Sequence, residues 1–363
     1  MKIGYFISEM GISGGIKVAL QHVNILKKMN YDAILIAKTI SDSWDLCEKI
    51  AVSKTENLDD IPNCDVYVGT HSSDVKYLFQ RAKGKVVHLC QGYEPIKYIS
   101  RIKKDFIPEK YEGKRVFSSF ARLAEIIKYK RKIKKTQSVY SLPTIKAAVS
   151  KHLVELIEKN HKEKCFLIQN GVDHKIFYPD EKRSWGQDGV VRILSVGSTH
   201  VGFKGIRDSL SAIKVLKEKG IKVELTRVSP THPTGEDLDG SIVDKFYRGL
   251  SEKEMANLYR NTDVLISPSL EVEGFGLPAI EALASGVPSI LTEISSYKSF
   301  DEKRDFAYFV PTHRPDKIAE GVLVLMENKQ FREKCVQRGL MVAKKYSLEI
   351  TREHLVNFIK ELG

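Results

Sequence analysis

Ser267-Pro268-Ser269-Leu270-Glu271-Val272-Glu273-Gly274-Phe275-Gly276-Leu277-Pro278-Ala279-Ile280-Glu281-Ala282-Leu283-Ala284-Ser285-Gly286 is the most informative stretch of the chain. The apolar run ending at Ser267 reads as a strand, a glycine-rich turn follows, and Pro278, a favoured first helical residue, opens a helix that Gly286 closes. Such a turn presents the amides of Gly274, Phe275, Gly276 and Leu277 at the positive end of a helix, an arrangement suited to a diphosphate. Glu273 precedes this helix and Glu281 lies inside it. Carboxylates beside a phosphate site suit neutral hydroxyls, which they bind as charged acceptors. One glutamate for sugar hydroxyls and one for ribose hydroxyls is the division this chemistry suggests. The bland alternative makes Glu273 a turn residue and Glu281 a solvated helix residue.

Outward from this stretch, the chain alternates short β-rich runs with helical patterns. Lys2–Ile7 is read as a first strand, followed by the turn Gly11-Ile12-Ser13-Gly14-Gly15 and a helix. Ala33–Ala37, Asp65–Val68, Lys85–Leu89, Ile145–Val149 and Phe166–Ile168 continue the series. Gly171–Gly189, rich in Gly, Pro and charge, reads as a linker. A second series then starts at Val190–Val196, opens into a loop with Gly197, Gly202 and Gly205, and continues through Lys222–Arg227, Asp263–Ser267, Pro288–Leu291 and Phe306–Val310. Residues 315–361 are almost all helical in pattern. The expected fold class is α/β, with two Rossmann-like domains facing a cleft and ligands at the carboxyl ends of the strands. The expected bounds are 1–172, 173–345 and a closing helix at 346–363.

The length of 363 residues fits two domains, and 42% hydrophobic residues exclude a disordered or low-complexity chain. The net charge of +12 is local: residues 101–135 hold 13 basic and 4 acidic residues, while residues 201–363 are neutral. Five scattered cysteines without a CxxC pair fit free thiols in a reducing cytosol. With no signal h-region and no long apolar run, the expectation is a cytoplasmic protein, soluble or peripheral at the membrane.

Two glutamates separated by seven residues inside EGFGLPAIEALASGVP resemble the signature of the retaining family-4 glycosyltransferases, which have the GT-B fold. QNGVDHKIFYP (169–179), RGLSEKEMANLYRNTDVLISPS (248–269), SGG (13–15) and FKG (203–205) are similar to further family segments. The resemblance implies that Glu273 contacts the donor sugar, Glu281 the ribose, and Lys204 the diphosphate, and that the closing helix packs on the N-terminal domain. It implies a hexosyltransferase that takes a nucleotide-diphosphate sugar, UDP- or GDP-linked, and passes the sugar to a glycan or lipid-linked acceptor in surface polysaccharide or glycolipid assembly. Front-face attack, with the departing phosphate taking the acceptor proton, needs no protein nucleophile, no metal and no further cofactor. The family commonly has Gly-Arg-Leu where this chain has Gly197-Ser198-Thr199-His200. Either Lys204 works with hydroxyls and amides alone, or Arg227 substitutes for the arginine.

In the N-terminal half, Gly14 and Gly15 are placed to present amides to a donor phosphate, although a plain tight turn explains them as well. His71, after one strand, and Glu94, in Gln91-Gly92-Tyr93-Glu94-Pro95 after another, are the acceptor-side catalytic candidates beside Glu273. Asp237-Leu238-Asp239 spells DxD, but its Pro/Gly-rich setting reads as a solvated acidic turn, and no metal site is expected. In the basic segment, Phe117, Phe120, Leu123, Ala124 and Ile127 form an apolar stripe followed by six cations from Lys128 to Lys135. Docking of 101–135 on an anionic membrane surface competes with a stripe packed on the core. The competing functions are a GT-B-type epimerase or phosphorylase and, from another class, a nucleic-acid-binding Rossmann protein. The second lacks any recognisable nucleic-acid motif, so no nucleic acid is expected as a partner.

Overall fold

Ile3, Tyr5, Phe6 and Ile7 are buried in succession, which requires cover on both faces of the first strand. The computed structural model describes residues 1–10, 14–40, 52–54, 60–103, 119–180 and 184–363. It divides into two compact units: one holds the described residues up to Asn170 together with Glu349–Gly363, the other runs from Gly171 to Leu348.

The first unit contains β1 (Lys2–Met10), β2 (Asp32–Ile40), β3 (Val52–Lys54), β4 (Val66–Gly69), β5 (Lys85–Cys90), β6 (Ile145–Ala148) and β7 (Cys165–Leu167). They form one sheet in the order β3-β2-β1-β4-β5-β6-β7, parallel throughout the described residues. Helices α1 (Gly14–Lys28), α2 (Ser72–Arg81), α3 (Glu94–Lys103), α4 (Ser119–Tyr140) and α5 (Lys151–His161) join them. The order reverses between β1 and β4, so the loops after these strands flank a topological switch point.

The second unit repeats the plan with β8 (Val191–Val196), β9 (Val223–Ser229), β10 (Lys245–Arg248), β11 (Val264–Ser267), β12 (Ser289–Thr292) and β13 (Tyr308–Val310) in the order β10-β9-β8-β11-β12-β13. Its helices are α6 (Ile206–Glu218), α7 (Glu252–Arg260), α8 (Leu277–Ala284), α9 (Ser295–Lys298), α10 (Pro315–Glu327) and α11 (Lys329–Ala343). Ile193, Leu225, Val264, Ile266 and Ile290 from the strands pack against Ile206, Leu210, Ile213, Ile318 and Val322 from α6 and α10. Each such side chain contributes roughly 1.5–3 kcal/mol by leaving water. Here the switch point falls between β8 and β11.

The final helix, α12 (Leu348–Leu362), lies almost wholly in the first unit. The Thr351 hydroxyl donates to the Gln169 carbonyl at 2.9 Å, the Gln169 N–H donates to His354 Nδ1 at 3.2 Å, and Phe358 meets Phe166 edge-on at 5.2 Å. Lys85 Nζ donates to the Leu362 carbonyl.

Two strands differ from the sequence reading. β3 and β10 are short edge-side strands, and the β10 run Lys-Phe-Tyr-Arg is largely exposed, so neither carries the apolar run that marks the others. The stretch read as a linker, 171–189, is folded onto the second unit over its described residues. Phe177 is buried, Arg260 donates to the Ile176 carbonyl at 3.1 Å, and the same guanidinium stacks on Tyr178. Cys64, Cys90, Cys165 and Cys335 are buried free thiols; Cys47 lies outside the described residues, as do Gly11, Ile12, Ser13, Phe117, Lys104, Lys110, Lys114 and Arg115. Among the described residues no helix is long and apolar enough to cross a membrane.

One close approach fixes the loop after β8. Gly205 has φ of 64°, and a Cβ there would fall on the Pro268 carbonyl. Both the left-handed backbone and the contact exclude a side chain. Gly205→Ala is expected to destabilise the protein by at least about 2 kcal/mol, measured as a lowered midpoint of urea unfolding with an unchanged slope.

Candidate functional site

The two loops at the second switch point carry Lys204 and Glu273. Residues 202–204 form a single 3₁₀ turn after β8, closed by Gly205. The Leu270 N–H donates to the Phe203 carbonyl at 2.7 Å, joining this loop to the one after β11. Lys204 Nζ lies 2.6 Å from Glu273 Oε2, and the Ser269 hydroxyl donates to the same oxygen at 3.1 Å. Glu273 is only 9% exposed. Burial pushes its carboxyl upward, but the Lys204 ammonium, Ser269 and the Phe275 N–H more than offset this and hold it below the ordinary carboxylate value.

Helix α8 begins after Gly276, whose φ of 93° starts the helix from a left-handed turn, and Pro278 occupies its first turn. Seven of its eight residues are buried, so the helix is held by packing on all sides rather than by propensity. Glu281 is the one charged residue on it and is 6% exposed. The Tyr259 hydroxyl lies 3.1 Å from Glu281 Oε2 and 3.2 Å from the Pro278 carbonyl. A carboxylate placed on an apolar, fully packed helix carries a desolvation cost that a surface glutamate avoids. The solvated-helix alternative is thereby removed for Glu281, and the free-turn alternative for Glu273.

Three expectations are corrected. Arg227 does not face a ligand. Its side chain is 0% exposed, with Nε donating to Asp237 Oδ1 at 3.0 Å, Nη1 to the Ser195 carbonyl at 2.6 Å and Nη2 to the Gly197 carbonyl at 2.7 Å. It pins the end of β8 from beneath. Asp237 is not a solvated turn residue: it is buried against Arg227 and accepts from the Thr199 hydroxyl at 2.9 Å, whereas Asp239 is exposed and holds Ser241. Asp237 is thus committed to an interior ion pair, and Asp239 to the N–H and hydroxyl of Ser241 in its own turn. Phe275 is not an open amide either, because its N–H is committed to Glu273 and its ring packs against Phe300 and Tyr346. Gly274, Gly276 and Leu277 stand at the start of α8 as expected.

In the first unit, the corresponding strand ends gather Gly14, Gly15, His71, Gln91 and Glu94. Gly15 lies in the first turn of α1, and its carbonyl accepts from Gln91 Nε2 at 2.9 Å; a Cβ on Gly15 would press on Gln91 Oε1. Glu94 accepts from the Ser72 N–H at 2.7 Å and the Ser72 hydroxyl at 2.6 Å, so it caps α2 across 22 positions of sequence. His71 is the N-cap of α2, with Nδ1 accepting from the Ser73 N–H and Nε2 3.7 Å from Glu94 Oε2. In neutral His71 this leaves the proton on Nε2, directed toward the Glu94 carboxylate. The structure therefore brings His71 and Glu94 close, at 3.7 Å and without a hydrogen bond between them. Sequence reasoning missed Ser72, Ser269, Tyr259 and Tyr297 at these sites.

This architecture, two doubly wound parallel sheets in one chain, is the GT-B fold. Superposition bears this out over essentially the whole length: Anabaena HepE in complex with UDP-glucose matches with a TM-score of 0.74 at 14% identity, covering 99% of this chain and 100% of that one. Residues 239–340, which hold Glu273 and Glu281, match the family model for glycosyl transferases group 1. Among curated proteins, the MMP alpha-(1->4)-mannosyltransferase of Mycolicibacterium hassiacum is 36% identical over 133 residues, 35% of this chain and 31% of that protein. The phosphatidyl-myo-inositol mannosyltransferase of Mycobacterium tuberculosis is 23% identical over 202 residues, 52% of each chain. The matches thus span about half or less of these relatives.

Removing the ammonium tests the Lys204–Glu273 pair. In the native protein the lowered carboxyl gives stability that is present above the unfolded-state carboxyl value, around 4.3, and is lost as pH falls through the folded value. In Lys204→Met burial dominates and the sign reverses. The variant is expected to lose about 3–5 kcal/mol at pH 7, with a deficit that shrinks toward pH 5 as Glu273 takes up a proton; urea unfolding at the two pH values measures it.

Proposed function

We propose that the protein is a retaining glycosyltransferase that moves a hexose from a nucleotide-diphosphate sugar to a glycan or lipid-linked acceptor. The observation that carries this reading is the placement of Lys204, Glu273 and the start of α8 together at the switch point of the second sheet. The family match over the segment that holds both glutamates supports it, as do the mannosyltransferase relatives and the UDP-glucose complex of HepE.

On this reading the donor lies across the loops after β8 and β11. An ammonium has three donors, so Lys204 can keep its bond to Glu273 and direct the others at the diphosphate. Together with the positive end of α8 it stabilises the charge that grows on the leaving phosphate. Glu273 accepts hydrogen bonds from the sugar hydroxyls and Glu281 from the ribose. Because Arg227 is committed to the interior, Lys204 works with hydroxyls and amides alone. The leaving phosphate takes the acceptor proton on the same face, and the reaction needs neither a protein nucleophile nor a metal. The first unit receives the acceptor, with His71 as the polar group that meets it and Glu94 beside the imidazole. The donor nucleoside is uridine or guanosine, and the product enters surface polysaccharide or glycolipid assembly.

UDP-, GDP-, ADP- and dTDP-sugars separate the donors in a thermal-shift panel. The true donor at about a hundred times its dissociation constant adds about 2.7 kcal/mol of stability, a rise of several degrees. Glu281→Ala is expected to abolish it. If no nucleotide sugar raises the transition, the donor assignment is wrong.

On this reading the basic segment docks on the cytoplasmic face of a membrane, and the exposure of its apolar stripe supports this. Over its described part the apolar stripe does not pack on the core. Leu123 and Ile127 are 55% and 43% exposed, Ala124 is exposed, and Lys128, Lys130, Arg131, Lys134 and Lys135 stand exposed beside them. Such a face suits an anionic bilayer, each nearby cation adding about 1 kcal/mol. Vesicles containing anionic lipid should float with the protein at low salt, and Lys128, Lys130, Arg131 and Lys134 changed together to Glu should abolish this. Equal recovery on neutral vesicles would remove the membrane from the proposal.

A further inference from the structure

A buried line of hydroxyls runs from the end of β11 to Glu273, and it passes through a residue outside the family signature. The Ser267 and Tyr297 hydroxyls lie 2.7 Å apart, Tyr297 donates to the Ser269 hydroxyl at 3.1 Å, and Ser269 donates to Glu273 Oε2 at 3.1 Å. Tyr297 has one proton and gives it to Ser269, so in the first link Ser267 is the donor and Tyr297 the acceptor. All three O–H dipoles therefore point toward the carboxylate. Hydrogen bonds aligned head to tail polarise one another in a low-dielectric interior.

The surroundings fix this line in place. Tyr297 is 0% exposed, and its ring occupies the space where a Cβ on Gly276 would stand. Gly276 thus serves a second purpose beyond starting α8: it admits the ring that carries the relay. The Thr292 hydroxyl donates to the Ser269 carbonyl, and the Glu271 carboxylate accepts from the Ser295 N–H at 3.1 Å, so the loop bearing Glu273 is stapled to the segment bearing Tyr297 at both ends. Burial, with the Glu273 charge added, keeps the phenol protonated far above neutral pH, so its hydroxyl is a permanent donor.

We propose that Tyr297 is a positioning residue for Glu273: through Ser269 it holds the carboxylate ionised and turned toward Lys204, so that the opposite oxygen is presented to the hydroxyls of a sugar. The proposal rests on the donor-site reading of Glu273 given above. It goes beyond that reading by assigning a role to a tyrosine that neither touches the donor nor belongs to the glutamate signature.

Tyr297→Phe keeps the ring over Gly276 and removes only the hydroxyl. The full chain labelled with ¹³C at glutamate side-chain carboxyls reports the titration of Glu273 directly, with Glu273→Gln to assign the resonance. Loss of hydrogen bonding to the charged form raises a carboxyl pKa, so the midpoint is expected to move upward by about 0.5–1 pH unit. In a transfer assay with the donor selected by thermal shift, the acid limb of kcat should move upward with it. At pH below the native midpoint kcat should fall about three- to tenfold, shrinking to less than about twofold at pH 5.5, with the donor KM changed less than about twofold. If Tyr297→Phe does not fold, Ser267→Ala removes the first hydroxyl without touching the ring and should move the midpoint the same way by a smaller amount. An unchanged midpoint in the folded variant overturns the relay. A raised midpoint in a protein that transfers no sugar supports the relay and overturns the donor reading.

Discussion

The contact between Lys204 and Glu273 is the constraint around which the second unit is arranged. A carboxylate with 9% exposure beside a fully packed helix is tolerable only if a cation and several donors meet it. Lys204 can meet it only because Gly205 lets the loop after β8 lie directly on the Pro268 carbonyl. Arg227 in turn holds that loop from below through the Ser195 and Gly197 carbonyls. Two charged pairs, one partly exposed and one wholly interior, therefore set the position of one short 3₁₀ turn.

The first unit uses the same switch-point geometry with different chemistry. Among the described residues its strand ends hold an imidazole at the start of α2, with Glu94 bonded to Ser72 and lying near the ring. The two units share strand order but not the chemistry of their strand ends, as expected where a repeated fold supplies positions and the loops supply function.

Much of this was legible in the sequence because it is local. The strand, glycine turn and buried helix of 263–286, and the glycines that close α6 and α8, follow from neighbouring residues alone. What escaped is long-range. Ser269 and Tyr297 are separated by 28 positions, Ser72 and Glu94 by 22, and no spacing rule links them before β11, β12 and α9 are assembled. Arg227 is a different kind of miss, since a signal was present. An arginine inside Leu225-Thr226-Arg227-Val228, in a strand buried on both faces, demands an interior partner, and Asp237 ten residues later supplies it. β3 and β10 were missed because edge strands need no apolar pattern on their outer side.

The placement of α12 has a consequence for how the protein is made. Leu355, Phe358, Ile359 and Leu362 are core residues of the first unit, yet the ribosome reaches them only after the whole of the second unit has been synthesised. The sheet that begins at Lys2 must wait, with the surface that Phe166 and Gln169 offer to α12 uncovered, while more than 170 further residues are added. Vectorial synthesis, which normally completes an N-terminal domain first, here leaves that domain to be finished last.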